Sequence, residues 1–176
     1  PKRFDADDLL ERKASYGKAG FQLQFMLNTS LSDEERYPLK VRDLIITELD
    51  PEKAPMTWDW LPHKKHLHND LPNMAMSGDY MYAPAGFHDV TADYQGIVMA
   101  VDPSGRGADE TGYSIVAHSN GYNYVLRCGG FQGGYDEQTV LNPLAILAKQ
   151  YKVNKIICES NFGDGLFTKV FQEVVH

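Results

Sequence analysis

Ile97-Val98-Met99-Ala100-Val101 is an unbroken apolar run that stops at Asp102. A run this short, without alternation, suits a strand buried on both faces rather than a helix. Downstream, Tyr113 to His118 and Tyr122 to Arg127 are joined through Asn120-Gly121. Asn-Gly between alternating apolar stretches is a strong hairpin signal, because both residues tolerate the positive φ of a tight turn. The glycine-containing stretch from Pro103 to Asp109 links the first strand to the hairpin, and glycine-rich 129–134 reads as a loop. A helix is expected over 137–151, with Val140, Leu144, Leu147 and Tyr151 in one apolar stripe. Pro143 either kinks a helix capped by Asp136 or is the first helical residue after an Asn142 cap. Val153 to Cys158 reads as a second short buried strand ending in Glu159. Asp164 then caps a last helix carrying Leu166, Phe167, Val170, Phe171 and Val174.

The order is therefore strand, two hairpin strands, helix, strand, helix. Three meander strands leave the third parallel to the first, and a right-handed crossover through the helix sets the fourth strand beside the first. The expected fold is α/β, a mixed sheet of strand order 3-2-1-4 with helices, preceded by a helical and irregular extension. In that sheet Asp102 and Glu159 both lie just past the carboxyl ends of neighbouring strands, ~4.8 Å apart across the ladder. Two carboxylates held so close repel unless a cation sits between them. Hard divalent ions, Mg²⁺ or Mn²⁺, suit such oxygen donors. Two of them ~3.5–4 Å apart can activate water and stabilise a leaving oxygen in phosphodiester hydrolysis. Either acid alone would be read as a turn former or cap; their joint placement points to a site.

The N-terminal half is less regular. Helices are expected over 5–16, closed by Gly17, and 18–27, then a loop over 28–41 and a strand over 43–49. Residues 50–92 carry prolines at 51, 55, 62, 72 and 84 with little periodicity, and read as a long irregular connection. The domain boundaries expected are a connector over 1–92 and a folded domain over 93–176. The chain opens on Pro1 and stops at His176 within a helical pattern, so it is expected to be a piece of a longer protein. A hydrophobic content of 43% and a charged content of 23% argue against wholesale disorder. No apolar run approaches the ~18 residues of a membrane span. Two cysteines make no disulfide framework, so a reduced, cytosolic setting is the default. The net charge of −7, with both halves acidic, weighs against tight autonomous binding to nucleic acid.

Other constellations carry blander readings. His63, His66 and His68 with Asp70 are irregularly spaced beside Lys64 and Lys65, which suits a solvated loop better than a zinc site. Cys128 and Cys158 read as lone thiols, expected as core residues, without a positioned histidine. Arg106, between two glycines, is a candidate phosphate contact. Tyr80, Tyr82 and Phe87 could stack on bases, with packing the safer reading, and Trp58 and Trp60 are expected to pack against the domain surface.

Asp102-Pro-Ser-Gly-Arg-Gly-Ala-Asp-Glu-Thr-Gly112 after its apolar strand resembles the first nuclease motif of phage terminase large subunits, especially those of short-tailed phages. Ile156-Ile-Cys-Glu159-Ser-Asn-Phe-Gly-Asp-Gly165 resembles the second. Gly20 to Ser30, continuing to Tyr37-Pro-Leu-Lys40, is similar to the stretch joining that family's ATPase core to its nuclease. The resemblance implies an RNase H-like nuclease domain that cuts concatemeric phage DNA with two divalent ions held by three acids. It implies Asp102 and Glu159 as the first two catalytic metal ligands and Asp109 as an auxiliary one; the Arg106 phosphate contact read above would then be a contact to DNA. Double-stranded DNA, the ATPase domain, the small terminase subunit and the portal are the implied partners, in the host cytoplasm and without a membrane. Two departures matter. There is no Gly-x-x-x-x-Gly-Lys-Ser/Thr phosphate loop, and the family's third acid lies beyond His176; Asp164 reads better as a helix cap than as its replacement. Two other functions fit the same pattern: a non-catalytic contact or scaffold piece of the packaging motor, and an actin- or sugar-kinase-like phosphate-binding domain.

Overall fold

The computed structural model describes residues 6–25, 40–72, 79–104, 109–159 and 165–175. Contacts divide the chain into two units: Pro1–Ile46 with Pro62–Ala83, and Thr47–Leu61 with Pro84–His176.

In the first unit, helix α1 spans Ala6–Phe25 as one element, with Asp7 and Asp8 in its first turn. The break expected at Gly17 is absent. A single glycine costs a helix only about 1 kcal/mol against alanine, and Lys18 and Ala19 beside it favour helix. The strand expected over 43–49 is also absent. In its place stand a 3₁₀ turn, Val41–Asp43, and a single bridge from Ile45 to Tyr82. The buried Asp79 carboxylate organises that turn, accepting the N–H groups of Val41 and Arg42 at 2.8 and 2.9 Å. The histidines act locally. His63 Nδ1 accepts from Lys65 N–H at 3.3 Å, and a ring nitrogen of His68 lies 2.7 Å from the Ile46 carbonyl.

In the second unit the central strand is β5, Gly96–Asp102. For the shorter elements before it, β1 is Lys53–Pro55, β2 Trp58–Asp59, β3 Gly86–Phe87 and β4 Thr91–Asp93. After it come β6, Glu110–Ser119, and β7, Tyr122–Gln132. Helix α2 covers Asn142–Gln150, β8 Lys155–Cys158 and α3 Leu166–Val175. The main sheet runs β7-β6-β5-β8, antiparallel except for the parallel β5–β8 pair, as the 3-2-1-4 order requires. The hairpin turns at Asn120 and Gly121, with φ of 49° and 81°. The glycines expected to open a loop instead continue β7, where Gly129 pairs with Tyr113 and Gly130 with Gly112.

Alternation decides the two faces. Ile97, Met99 and Val101 of β5 and Tyr113, Ile115 and Ala117 of β6 are buried against Leu144 and Leu147 of α2 and Phe167 and Phe171 of α3. The other face carries Ala100, Asp102, Val125, Ile157 and Glu159, all exposed, and also Cys128, which is exposed rather than in the core because its place opposite Ser114 turns it to the open face. Each large side chain wholly removed from water contributes about 1.5–3 kcal/mol, so the covered face fixes which way β5 and β6 are turned.

Pro143 explains the shape of the crossover. It has no N–H to donate, and the helix is preceded by a wide π-turn at Glu137–Leu141 instead of a regular turn. Asp136 caps this turn, accepting from Gln138 N and Thr139 N at 3.0 and 2.8 Å. Those bonds hold its carboxyl below the usual range, the Thr139 backbone bond first.

The irregular connection expected over 50–92 contains paired structure. β1 pairs with β4 and β2 with β3, both antiparallel. Trp58 Nε1–H donates to the Tyr124 hydroxyl at 3.1 Å, and that hydroxyl donates to the Pro55 carbonyl at 3.2 Å. Tyr94 donates to the Asp50 carbonyl at 2.8 Å, and Lys152 pairs with Glu52. Residues 47–61 and 84–92 are thus bound to the sheet by non-local contacts, so the contacts do not divide the chain by one cut after residue 92. Trp60, in contrast to Trp58, is 44% exposed.

Candidate functional site

Asp102 is the last residue of β5, and Glu159 directly follows β8. The paired register ends at Val101 opposite Cys158. One more ladder bond follows, from the Glu159 N–H to the Val101 carbonyl at 3.0 Å. Asp102 and Glu159 are therefore the next residues of two neighbouring strands. Both are exposed, and both line a shallow cleft of roughly 500 Å³ on the open face of the sheet, floored in part by Ala100, Gly112, Ser114 and Ile157. Gly112 sits opposite Asp102, and a Cβ added there would meet the Asp102 Cβ at 4.0 Å, so this side of the acid is low rather than walled.

The other expected site residues are placed differently. Asp109 is exposed just before β6 and does not line this cleft. Arg106 and Asp164 lie outside the described residues. Among the described residues no three His, Cys, Asp or Glu side chains are grouped so as to hold a metal ion. The His63, His66, His68 and Asp70 series accordingly makes no metal cluster. Cys158, next to Glu159, is half-buried beside Thr168; burial pushes its thiol up, against a smaller pull from the Thr168 bond, so it stays protonated at neutral pH.

Two features near the cleft escaped the sequence reading. Glu110 shares the open face with Gly112, and its side chain lies over Gly130 in the adjacent strand, where an added Cβ would come within 3.0 Å of the Glu110 Cβ. Counting two residues back from Gly112 along an alternating strand would have located it. Ser104 and Thr111 form a buried hydroxyl pair behind Asp102, which no spacing announces.

A four-stranded mixed sheet in this order, helices on one face and acids closing its two adjacent parallel strands, defines an RNase H-like α/β domain. Residues 101–176 match the family described as Terminase Bacteriophage T7, Ribonuclease H-like domain. The chain is also 50% identical over 175 residues to the terminase large subunit of Enterobacteria phage T3, which covers 99% of this chain and 30% of that protein. The chain thus spans about a third of the length of that relative. No helix among the described residues is long and apolar enough to cross a membrane.

Proposed function

We propose that this chain carries the greater part of a DNA-cleaving centre that hydrolyses phosphodiester bonds with two divalent metal ions, Mg²⁺ or Mn²⁺. The observation that carries the reading is the register of Asp102 and Glu159, adjacent in the ladder and lining one cleft. Both side chains are carboxylates on paired strands, so the donor set fits a hard cation. When bound, such ions supply Lewis acidity toward the scissile phosphate and the attacking water. The residues of this chain hold the geometry. Asp102 and Glu159 present anionic oxygens from a backbone locked by the Val101–Glu159 bond. Ala100, Gly112 and Ser114 keep the floor beside them low, so that a phosphate backbone can lie close. Asp109 and Arg106 are assigned auxiliary roles, as a further metal ligand and a phosphate contact. A third acid from elsewhere in the parent protein completes the set.

In the parent protein this domain is read as the enzyme that cuts concatemeric double-stranded DNA in the host cytoplasm, alongside the ATPase domain, the small terminase subunit and the portal. The acidic charge of −7 implies that DNA is delivered to the cleft more than captured by it. The test is Mn²⁺-dependent nicking of supercoiled plasmid by the complete protein, with Asp102→Asn and Glu159→Gln as variants. Loss of nicking in both supports the assignment; full nicking by both overturns it.

A further inference from the structure

We propose that Thr111 is a positioning residue for the metal centre, holding Asp102 in place through a hydroxyl latch on the far side of the sheet. This rests on the reading of Asp102 as a metal ligand.

The chain leaves β5 at Asp102 and immediately turns inward, since Pro103 and Ser104 are both buried. Ser104 N–H donates to Thr111 Oγ1 at 3.1 Å, and the two hydroxyl oxygens lie 3.2 Å apart. Thr111 is 0% exposed and Ser104 7%, so water cannot stand in for either partner. Thr111 is paired with Phe131 across β6–β7, on the covered face of the sheet, whereas Gly112 beside it faces Asp102 on the open one. One buried oxygen therefore grips two atoms of the residue two positions beyond Asp102.

On its other side, Asp102 follows Val101, whose carbonyl is held by Glu159 N–H at 3.0 Å. The backbone of Asp102 is thus tied at both flanks, by a ladder bond before it and the latch after it. The Asp102 side chain is exposed and not packed into the core, so its aim depends on such backbone supports. A satisfied hydroxyl pair in an otherwise apolar layer supplies direction, which an aliphatic pair of the same volume would not.

The test compares Thr111→Val, which keeps shape and removes the latch, with Thr111→Ser, which keeps the hydroxyl. Mn²⁺ binding to the 176-residue chain is read from the free-ion paramagnetic signal, with Asp102→Asn as reference. Thr111→Val is expected to weaken Mn²⁺ binding about tenfold, the lower end for residues that support a ligand, and Thr111→Ser to stay within about twofold of the unaltered chain. Amide exchange at Ser104 and over residues 109–110 should quicken in Thr111→Val alone. Thr111→Val binding Mn²⁺ like the unaltered chain overturns the positioning role. If Asp102→Asn binds as well as the unaltered chain, the metal reading itself fails, and the latch loses its positioning role with it. Should Thr111→Val not fold, Ser104→Ala serves instead: it removes one of the two latch contacts, and unchanged Mn²⁺ affinity there overturns the proposal equally.

Discussion

The backbone N–H of Glu159 donates to the carbonyl of Val101 at 3.0 Å, extending the β5–β8 ladder one step beyond its last paired residues. That bond converts two acids 57 positions apart in sequence into neighbours with a fixed separation. Both side chains are exposed, and the strands beneath the acids set the spacing of their backbones.

If those two carboxylates serve charge stabilisation during cleavage, Asp102→Asn and Glu159→Gln should each lower the cleavage rate of the complete protein by about two to three orders of magnitude, several kcal/mol of barrier. Because both residues are exposed, thermal midpoints and circular dichroism should be unchanged. A matched fall in thermal midpoint would reassign them to structure.

The two faces of the sheet should answer truncation differently. Met99 is 0% exposed in the covered layer, and Met99→Ala is expected to destabilise by about 2–5 kcal/mol in urea unfolding. Ile157 is 48% exposed on the open face, and Ile157→Ala should stay within about 0.5 kcal/mol. A large loss at Ile157 would mean that something covers that face in solution.

Residues 47–61 should behave as part of the sheet domain. A chain beginning at Thr47 is expected to keep the unfolding midpoint of the sheet unit. A chain beginning at residue 93 loses β1–β4 pairing and the Trp58–Tyr124–Pro55 hydrogen bonds. It should be less stable by several kcal/mol, at about 1 kcal/mol for each lost bond before packing is counted. Equal stability of the two pieces would return the boundary to residue 92.

Tyr94 should give the domain an alkaline limit. Its phenol is pushed up to about 12, chiefly by burial and then by Tyr124 and Asp50, from an ordinary value of 10.0. The raised value means that the unfolded chain loses this proton first. The stabilising contribution is complete below about pH 10 and disappears as pH rises through about 12. Tyr94→Phe should flatten the fall of stability across that window in denaturant titrations at stepped pH, at the cost of the bond to Asp50. An unaltered slope would show that Tyr94 does not set it.

Much of the sheet was legible because its signals are local. The run Ile97 to Val101, the alternation through β6 and the Asn120-Gly121 turn each depend on residues close in sequence, and they gave the strand order correctly. Boundaries slipped where neighbours compete with distant partners. Glycines 129 and 130 signal a loop locally, yet Tyr113 and Gly112 across the ladder hold them in β7. The Tyr113 hydroxyl and two of its ring carbons approach to 3.1–3.3 Å of where a Gly129 Cβ would be, so that position is close-packed enough to account for a glycine in a strand.

The amino-acid sequence determined the period-2 faces, the hairpin, the apolar stripes of the helices and the placement of an acid at the end of each buried run, since these follow from side-chain chemistry within a few residues. Only the tertiary structure decided that the Thr47–Leu61 arm belongs to the sheet unit and that Thr111 binds Ser104, two residues beyond Asp102. Those outcomes depend on which buried donors and acceptors find partners across tens of residues. Unmet polar groups are too costly to bury, so the fold is chosen to satisfy them, and that choice leaves no periodic trace in the sequence.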